Sequence, residues 1–327
     1  MTLAPFVHAL GRGPGRSRAL EQKEAREAMA LILSGQAAPE AVGAMLMLMR
    51  YRGETAEEIA GFVEAMRDRV SPWANLPVTL DWPSYASGRS RGLPLFLLAA
   101  KLAAEAGHKV LLHGWNSTQN PLADIRSQIG SVGISSVETP EAAKAALARD
   151  GIVYVPLEAL DPDQMRVLQL RDVLGLRSPI NTALRALNPA RAKLAVQGVF
   201  HPPYRALQQD AAALLGDSTL LVLKGGGGEF ERHPSKDTLL YGLDRGDAFE
   251  RTASAMSDET RRLADQTAKP EDLAALWSGS LEDPFAEATV TGTLALVLYA
   301  GSGFASLTKA QSEARALWLA RRKSLAA

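Results

Sequence analysis

Lys224 precedes four consecutive glycines, Gly225 to Gly228, and Glu229 follows them. Glycine carries no Cβ, so such a run leaves backbone N–H groups open beside a cation, which is a nest for an anion. The same run also suits a tight strand-to-helix turn with no ligand, and the residues alone leave both readings standing. Glu229, Glu231 and Asp237 offer carboxylates for one cation, but they follow no recognised ligand spacing. Two stretches are locally basic. Residues 11–18 hold Arg12, Arg16 and Arg18 with no acid, and residues 166–193 hold Arg166, Arg171, Arg177, Arg185, Arg191 and Lys193 against Asp172 alone. With Arg50 and Arg52, these sets suit bidentate phosphate contacts. Ordinary surface ion pairing is the alternative for any one of them.

Composition narrows the chemistry. The 327 residues carry 36 basic and 36 acidic side chains, so no global field recruits a polyanion and any such site is a local patch. The absence of cysteine excludes disulfides, thiolate metal sites and a cysteine nucleophile, and none of the five histidines forms a metal-type pair at helical spacing. The first ten residues lack the charged and apolar regions of a secretory signal, and the apolar run near Val290 to Ala300 is too short for a bilayer. The expectation is a cytoplasmic protein with no membrane partner.

The elements that must position these residues fall into two groups. Three helical patterns come first: Glu21 to Leu33, ending at Gly35; Pro39 to Met49; and one opened by a Thr55/Glu58 capping box that buries Ile59, Phe62, Val63 and Met66. Beyond Ser71-Pro72, short apolar runs alternate with alanine-rich helices. Strands are predicted at Val78–Leu80, Val110–Leu112, Ile152–Val155, Leu194–Val199 and Leu220–Leu223, with helices at 93–106 and 121–129 between the first of them. This alternation predicts an α/β fold, with a small all-α N-terminal domain over 1–75 and a larger α/β domain over 76–327 around a mostly parallel central sheet. The stretch 163–190 reads as helical with no strand inside it, so it is expected to return to the first domain.

Several segments together resemble the anthranilate phosphoribosyltransferase-like family, glycosyltransferase family 3. They are Glu27-Ala28-Met29 through Gly53-Glu54-Thr55 and Glu58-Ile59-Ala60-Gly61, then His113-Gly114, then Leu174-Gly175-Leu176-Arg177-Ser178-Pro179-Ile180-Asn181 with Leu187-Asn188-Pro189-Ala190, and Lys224 to Glu229. The resemblance implies the nucleoside phosphorylase/phosphoribosyltransferase-like architecture. It also implies a phosphoribosyl site whose positions here are Ser84, Gly88, Arg89, His113, Gly114, Arg171, Lys224 and Glu229. Three of its parts depart from the family pattern. The glycine-rich phosphate loop is replaced by Asp81 to Arg91, Trp115 stands where the family has an asparagine, and Gly228-Glu229 stands for its Asp-Glu metal pair. Arg171 matches the arginine that pairs with the anthranilate carboxylate.

The Ser84 to Pro94 stretch and the Lys224 to Glu229 segment resemble the YbiB-type branch. That branch implies a homodimer joined through the helical domain and sequence-nonspecific binding of DNA or RNA. The expectation is therefore a nucleic-acid-binding protein on a degenerate transferase scaffold, contacting phosphate through Arg12, Arg16, Arg18, Arg50, Arg52, Arg177 and Arg185. No catalytic residue, metal ligand or cofactor is assigned. The alternative is a phosphoribosyltransferase using phosphoribosyl pyrophosphate and magnesium on an aromatic acceptor, and a sensor of a small anion is a third.

Overall fold

The computed structural model describes residues 2–85, 92–115, 122, 124–263 and 267–325. Four helices open the chain: α1 (Ala4–Gly11), α2 (Gln22–Leu33), α3 (Pro39–Arg52) and α4 (Ala56–Arg69). Three match the predicted patterns, and α1 is additional. Pro5 fits its first turn, where an amide hydrogen has no helical partner, and Leu3 and Leu10 are buried. The capping box forms as expected, with Glu58 N–H donating to Thr55 Oγ1 and Thr55 N–H to Glu58 Oε2. Glu58 does more than cap. Fully buried, it also accepts from Leu20 N–H at 2.9 Å and from Arg52 Nη2 at 2.5 and 2.6 Å, tying the entries to α2 and α4 together.

The α/β part alternates β1 (Leu80–Ser84), α5 (Phe96–Glu105), β2 (Val110–Gly114), α6 (Ile125–Ser131), α7 (Pro140–Asp150) and β3 (Ile152–Pro156). Helices α8 (Leu157–Leu160), α9 (Pro162–Leu174) and α10 (Ile180–Arg185) follow, then β4 (Leu194–Val199), α11 (Tyr204–Leu214), β5 (Thr219–Lys224), β6 (Thr238–Asp244) and β7 (Asp247–Ala253). The chain closes with α12 (Asp272–Ser278), α13 (Pro284–Gly301) and α14 (Leu307–Leu325). The sheet order is β3-β2-β1-β4-β5-β6-β7, parallel from β3 to β5 and antiparallel for the last two pairings. One face packs on α5, α13 and α14 through Trp82, Phe96, Val196 and Leu294, and the other shares a core with the N-terminal helices through Leu111, Val153 and Val155.

As expected from 163–190, α9 and α10 return to the helical lobe. Gln164 Nε2 donates to Met66 O at 2.9 Å, Arg166 Nη2 to Ile32 O at 3.1 Å, and the buried Arg67 Nε to Leu187 O at 2.9 Å. Two sequence expectations shift. The first strand begins at Leu80 and runs through Pro83, because it ladders fully with β2 but meets β4 only at Leu80 and Asp81. A proline is tolerated where one side of the strand needs no donor. The β6–β7 hairpin lies outside the predicted strands. Its signal is the pair Arg245-Gly246, with φ of +53° and +90°, the two positive values that a two-residue hairpin turn requires. Among the described residues no helix is long and apolar enough to cross a membrane.

Glu58→Ala leaves the Arg52 guanidinium and two backbone donors without their buried acceptor. Urea denaturation is expected to show a loss of about 3–5 kcal/mol. A loss under about 1 kcal/mol, the scale of an exposed ion pair, would mean that the cluster does not hold the lobe together.

Candidate functional site

In a doubly wound sheet, ligands bind beyond the carboxyl ends of the strands where the order reverses. Here that point lies between β1 and β4, which part after two residues. The chain fills the gap with its own groups. Ser84 Oγ donates to Glu229 Oε1 at 2.9 Å, and both residues are buried. The segment carrying Glu229 passes so close to β4 that a Cβ on Gly198 would lie 2.0 Å from the Glu229 carbonyl carbon, and one on Gly225 would lie 1.6 Å from its oxygen. Gly228 turns the chain there with φ +96°. Those glycines serve a close crossing of backbones, the turn reading of the run. Next to them Tyr85 is fully buried, and its hydroxyl lies 2.9 Å from His113 Nδ1, while His113 Nε2 faces Asp81 Oδ1 at 3.2 Å. The phenol and the imidazole share a hydrogen bond, and the other side of the ring faces the carboxylate without a hydrogen bond to it. Burial, with Tyr154 and Asp81 nearby, pushes the Tyr85 hydroxyl well above the usual phenol range, so it stays neutral.

Arg185 belongs to this buried cluster. It is only 7% exposed, with Nη1 donating to Asn181 O at 3.2 Å and Nη2 to Tyr85 O at 3.5 Å. Burial pulls its pKa down, and the charge of Glu229 opposes that. Expected as a phosphate contact, it lines the interlobe cleft with Arg50 and Arg177, but its guanidinium is buried and not presented at the surface. Gly114 is required in β2, since a Cβ there would meet Ser84 O at 2.0 Å. Trp115 N–H donates to Ser84 O at 3.2 Å, and the Trp115 ring lies under the Arg171 guanidinium, 5.6 Å from ring centre to Cζ. Gly88 and Arg89 lie outside the described residues.

The remaining arginines separate into two kinds. Arg18 is held by Glu24 at 2.6 and 2.7 Å, and Arg52 by Glu58. Arg12 and Arg16 are exposed on a turn closed by Ser17 and make no ion pair among the described residues. Arg50 and Arg177 line the cleft between the lobes, where Arg50 Nη1 donates to Tyr204 Oη at 2.9 Å and Tyr204 Oη donates to Glu54 at 3.0 Å. Phe200 lines this cleft and also the next cavity, of about 700 Å³, where Lys224 meets Arg205, Lys236 and Arg262 beside Gly225–Gly227, with Asp237 as the acid. Sequence reasoning finds Lys224 but misses those three cations. They are scattered along the chain and carry no shared motif, so only the fold brings them together.

Residues 5–70 match the glycosyl transferase family helical bundle domain. The anthranilate phosphoribosyltransferase of Geobacillus stearothermophilus is 30% identical over 79% of this chain and 76% of its own length. The chain belongs to the anthranilate phosphoribosyltransferase family. The Geobacillus kaustophilus enzyme of that name is 29% identical over 93% of this chain and 89% of its own. The crystal structure of the Thermus thermophilus anthranilate phosphoribosyltransferase superposes with a TM-score of 0.82 at 25% identity, covering 99% of this chain and 96% of that one.

The magnesium that the family resemblance implies does not fit the described residues. Glu229 is engaged by Ser84, Glu231 accepts from Phe96 N–H at 2.9 Å, and the residue before Glu229 is a glycine. Magnesium demands near-octahedral oxygen ligands with room for water, and among the described residues no three His, Asp or Glu side chains converge.

Glu229→Gln keeps an acceptor for Ser84 but leaves Arg185 buried beside no carboxylate. Denaturation is expected to show a loss of about 3–5 kcal/mol. Adding Arg185→Met should recover more than half of it, whereas strictly additive losses would show that the two side chains are not coupled.

Proposed function

We propose that this protein binds nucleic acid without reading its sequence, as the YbiB-type members of the family are expected to do, and that it does not transfer phosphoribose. The observation that supports this best is the basic track on the carboxyl side of the sheet. Arg50 and Arg177 stand in the interlobe cleft, and Arg205, Lys224, Lys236 and Arg262 surround the adjoining cavity. Among the described residues lining the track, Glu54 and Asp237 are the acids that oppose these cations. Between the two groups lie Phe200, His201 and Tyr204, with ring centres 4.8 and 6.4 Å apart in succession. Cations that follow a phosphate backbone, interleaved with rings on which bases can stack, are what sequence-tolerant single-strand binding requires. Arg12 and Arg16, exposed and without ion pairs among the described residues, form a second contact region in this reading. A cytoplasmic setting goes with such a role.

A mobility-shift titration with an unstructured oligonucleotide at several salt concentrations tests the reading. Affinity should fall steeply with salt, since each neutralised phosphate releases counterions. Lys224→Glu with Arg262→Glu should weaken binding at least ten-fold for DNA and RNA of any sequence and flatten the salt slope, because phosphate contacts carry no base information. No shift at low salt would sink the proposal.

The comparisons taken alone favour a second reading, phosphoribosyl transfer to an aromatic acceptor, since the curated relatives are anthranilate phosphoribosyltransferases. One side chain supports it. Arg171 is retained, and its buried Nη1 has no hydrogen-bond partner among the described residues. Magnesium-dependent pyrophosphate release from phosphoribosyl pyrophosphate and anthranilate would establish this reading against the first.

The proposal includes a homodimer through the helical lobe. Val173 and Leu176, 83% and 56% exposed, sit at the end of α9, where Leu174 abuts Gly43 of α3. Exposed apolar side chains of this size suit an interface. Light scattering at micromolar concentration should give the mass of two chains, and Val173→Glu with Leu176→Glu should give one. A single-chain mass for the unaltered protein would overturn this part.

A further inference from the structure

A second cavity of about 700 Å³ opens at the other end of the sheet, where β4 and β5 begin. Its walls come from both lobes. Helices α2 and α4 supply Arg26, Glu64, Arg67 and Asp68, and the turns before β4 and β5 supply Arg191, Lys193 and Asp217. The three acids already have donors. Asp68 pairs with Arg26 at 2.8 Å, Asp217 with Arg67 at 3.0 Å, and Glu64 accepts from Gln22 Nε2 at 2.8 Å. Arg191 and Lys193 make no ion pair and no side-chain hydrogen bond among the described residues, and Asp217 and Asp68 act on Arg191 only through space.

The backbone beneath Arg191 points the same way. Arg191 sits at φ +55°, in the left-handed region that side chains other than glycine, asparagine and aspartate avoid, and Asn188, which tolerates it, precedes it at +41°. The turn is held there from inside. Asn188 Nδ2 donates to Ala192 O and Ala192 N–H donates to Asn188 Oδ1, both at 2.8 Å, and Arg191 N–H closes on Asn188 O at 3.0 Å. Backbone strain held by a buried clamp is characteristic of positions where a side chain must be presented to a ligand. Arg191 is accessible from solvent, yet burial of its guanidinium, followed by the nearby charge of Arg67, draws its pKa down to about 10. A bound anion would supply the contacting opposite charge that offsets both effects.

We propose that this interlobe cavity binds a phosphate group, free or carried by a small phosphomonoester, through Arg191 and Lys193. Arginine matches phosphate oxygens bidentately, and lysine adds a compact charge. The ligand would bridge the lobes, since Arg26 and Arg67 stand on the facing wall. This site is separate from the basic track and stands whether or not nucleic acid binds there.

The test uses the full chain, titrated calorimetrically and by thermal unfolding with inorganic phosphate and with glycerol 3-phosphate, against sodium chloride at matched ionic strength. Saturable binding with a rise in Tm is expected. Binding of both ligands would mark a phosphomonoester site, and binding of phosphate alone a site for the free anion. Either supports the proposal. Arg191→Asn removes the charge while keeping a residue tolerant of left-handed backbone, and should weaken binding at least ten-fold while leaving oligonucleotide affinity unchanged. Lys193→Gln, on the surface, should weaken it several-fold and carries the test if the first variant does not fold. Absence of any saturable effect beyond chloride, or binding that survives both substitutions, overturns the proposal. Loss of phosphate binding only in Lys224→Glu with Arg262→Glu overturns it as well, because the anion would then sit on the track.

Discussion

A buried guanidinium is tolerated only when a charge and hydrogen-bond acceptors meet it, since its desolvation costs several kcal/mol. Arg185 is in that position, and the end of the sheet is arranged around it. Glu229 supplies the charge, Ser84 holds Glu229, and Tyr85 O with Asn181 O supply acceptors. These contacts join α10, the end of β1 and the segment after β5. The glycines at 198, 225 and 228 follow from the same requirement, because Glu229 reaches this place only if two backbones cross at near-contact distance. Phe230 is carried along and packs edge-on against Trp82, 5.5 Å away, which in turn stacks on Phe96. One buried charge thus ties the sheet's switch point to the aromatic core behind it.

The same crevice in a doubly wound fold is where a ligand's charge is normally received. A polar cluster there is satisfied either by the ligand or by the protein, and here the protein supplies both signs. Buried polar groups that already have partners hold their geometry and lose by exchanging them. Tyr85 and His113 extend the filled region along β1 and β2, while Asp81 faces the imidazole with both carboxylate oxygens buried and without a hydrogen bond among the described residues, and Trp115 lies beneath the guanidinium of Arg171. An anion approaching from the carboxyl side therefore meets cations at the rim. Lys224, at the exposed end of β5, is the first of them.

Much of the fold is legible in the sequence because it rests on local patterns. The Thr55/Glu58 box, the apolar spacing of α2 to α4 and the alternation of strands with helices all depend on neighbours within a turn or two. The strand expected at Val78–Leu80 runs instead from Leu80 to Ser84, and only the sheet order shows that Pro83 is tolerated because one side of that strand needs no ladder. The hairpin escapes a sequence reading because Arg245 does not advertise a positive φ. The site is less legible. Lys224 stands out because four glycines follow it, yet those glycines serve Glu229 as much as any anion. Arg185 looks like its basic neighbours in sequence, and its burial is decided by Glu229 and Tyr85, which are distant along the chain. Arg18 and Arg52 look equally free, but their carboxylates lie six residues on, a spacing that no helix-face rule pairs.

This distribution explains how a chain of zero net charge can carry a basic track. Several acids are matched with arginines inside or between elements: Glu24 with Arg18, Glu58 with Arg52, Asp217 with Arg67, Asp161 and Asp163 with Arg69, and Asp283 with Arg261. Each pair cancels at short range and contributes little to the field a few ångströms away. Among the described residues, Lys224, Lys236 and Arg262 are left without ion-pair partners around one cavity, as Arg191 and Lys193 are around the other. Screening at physiological salt reaches about 8 Å, so a charged ligand responds to these local groups and not to the sum over the molecule. Charge balance over the whole chain and unpaired cations at two cavities are therefore consequences of the same pairing pattern.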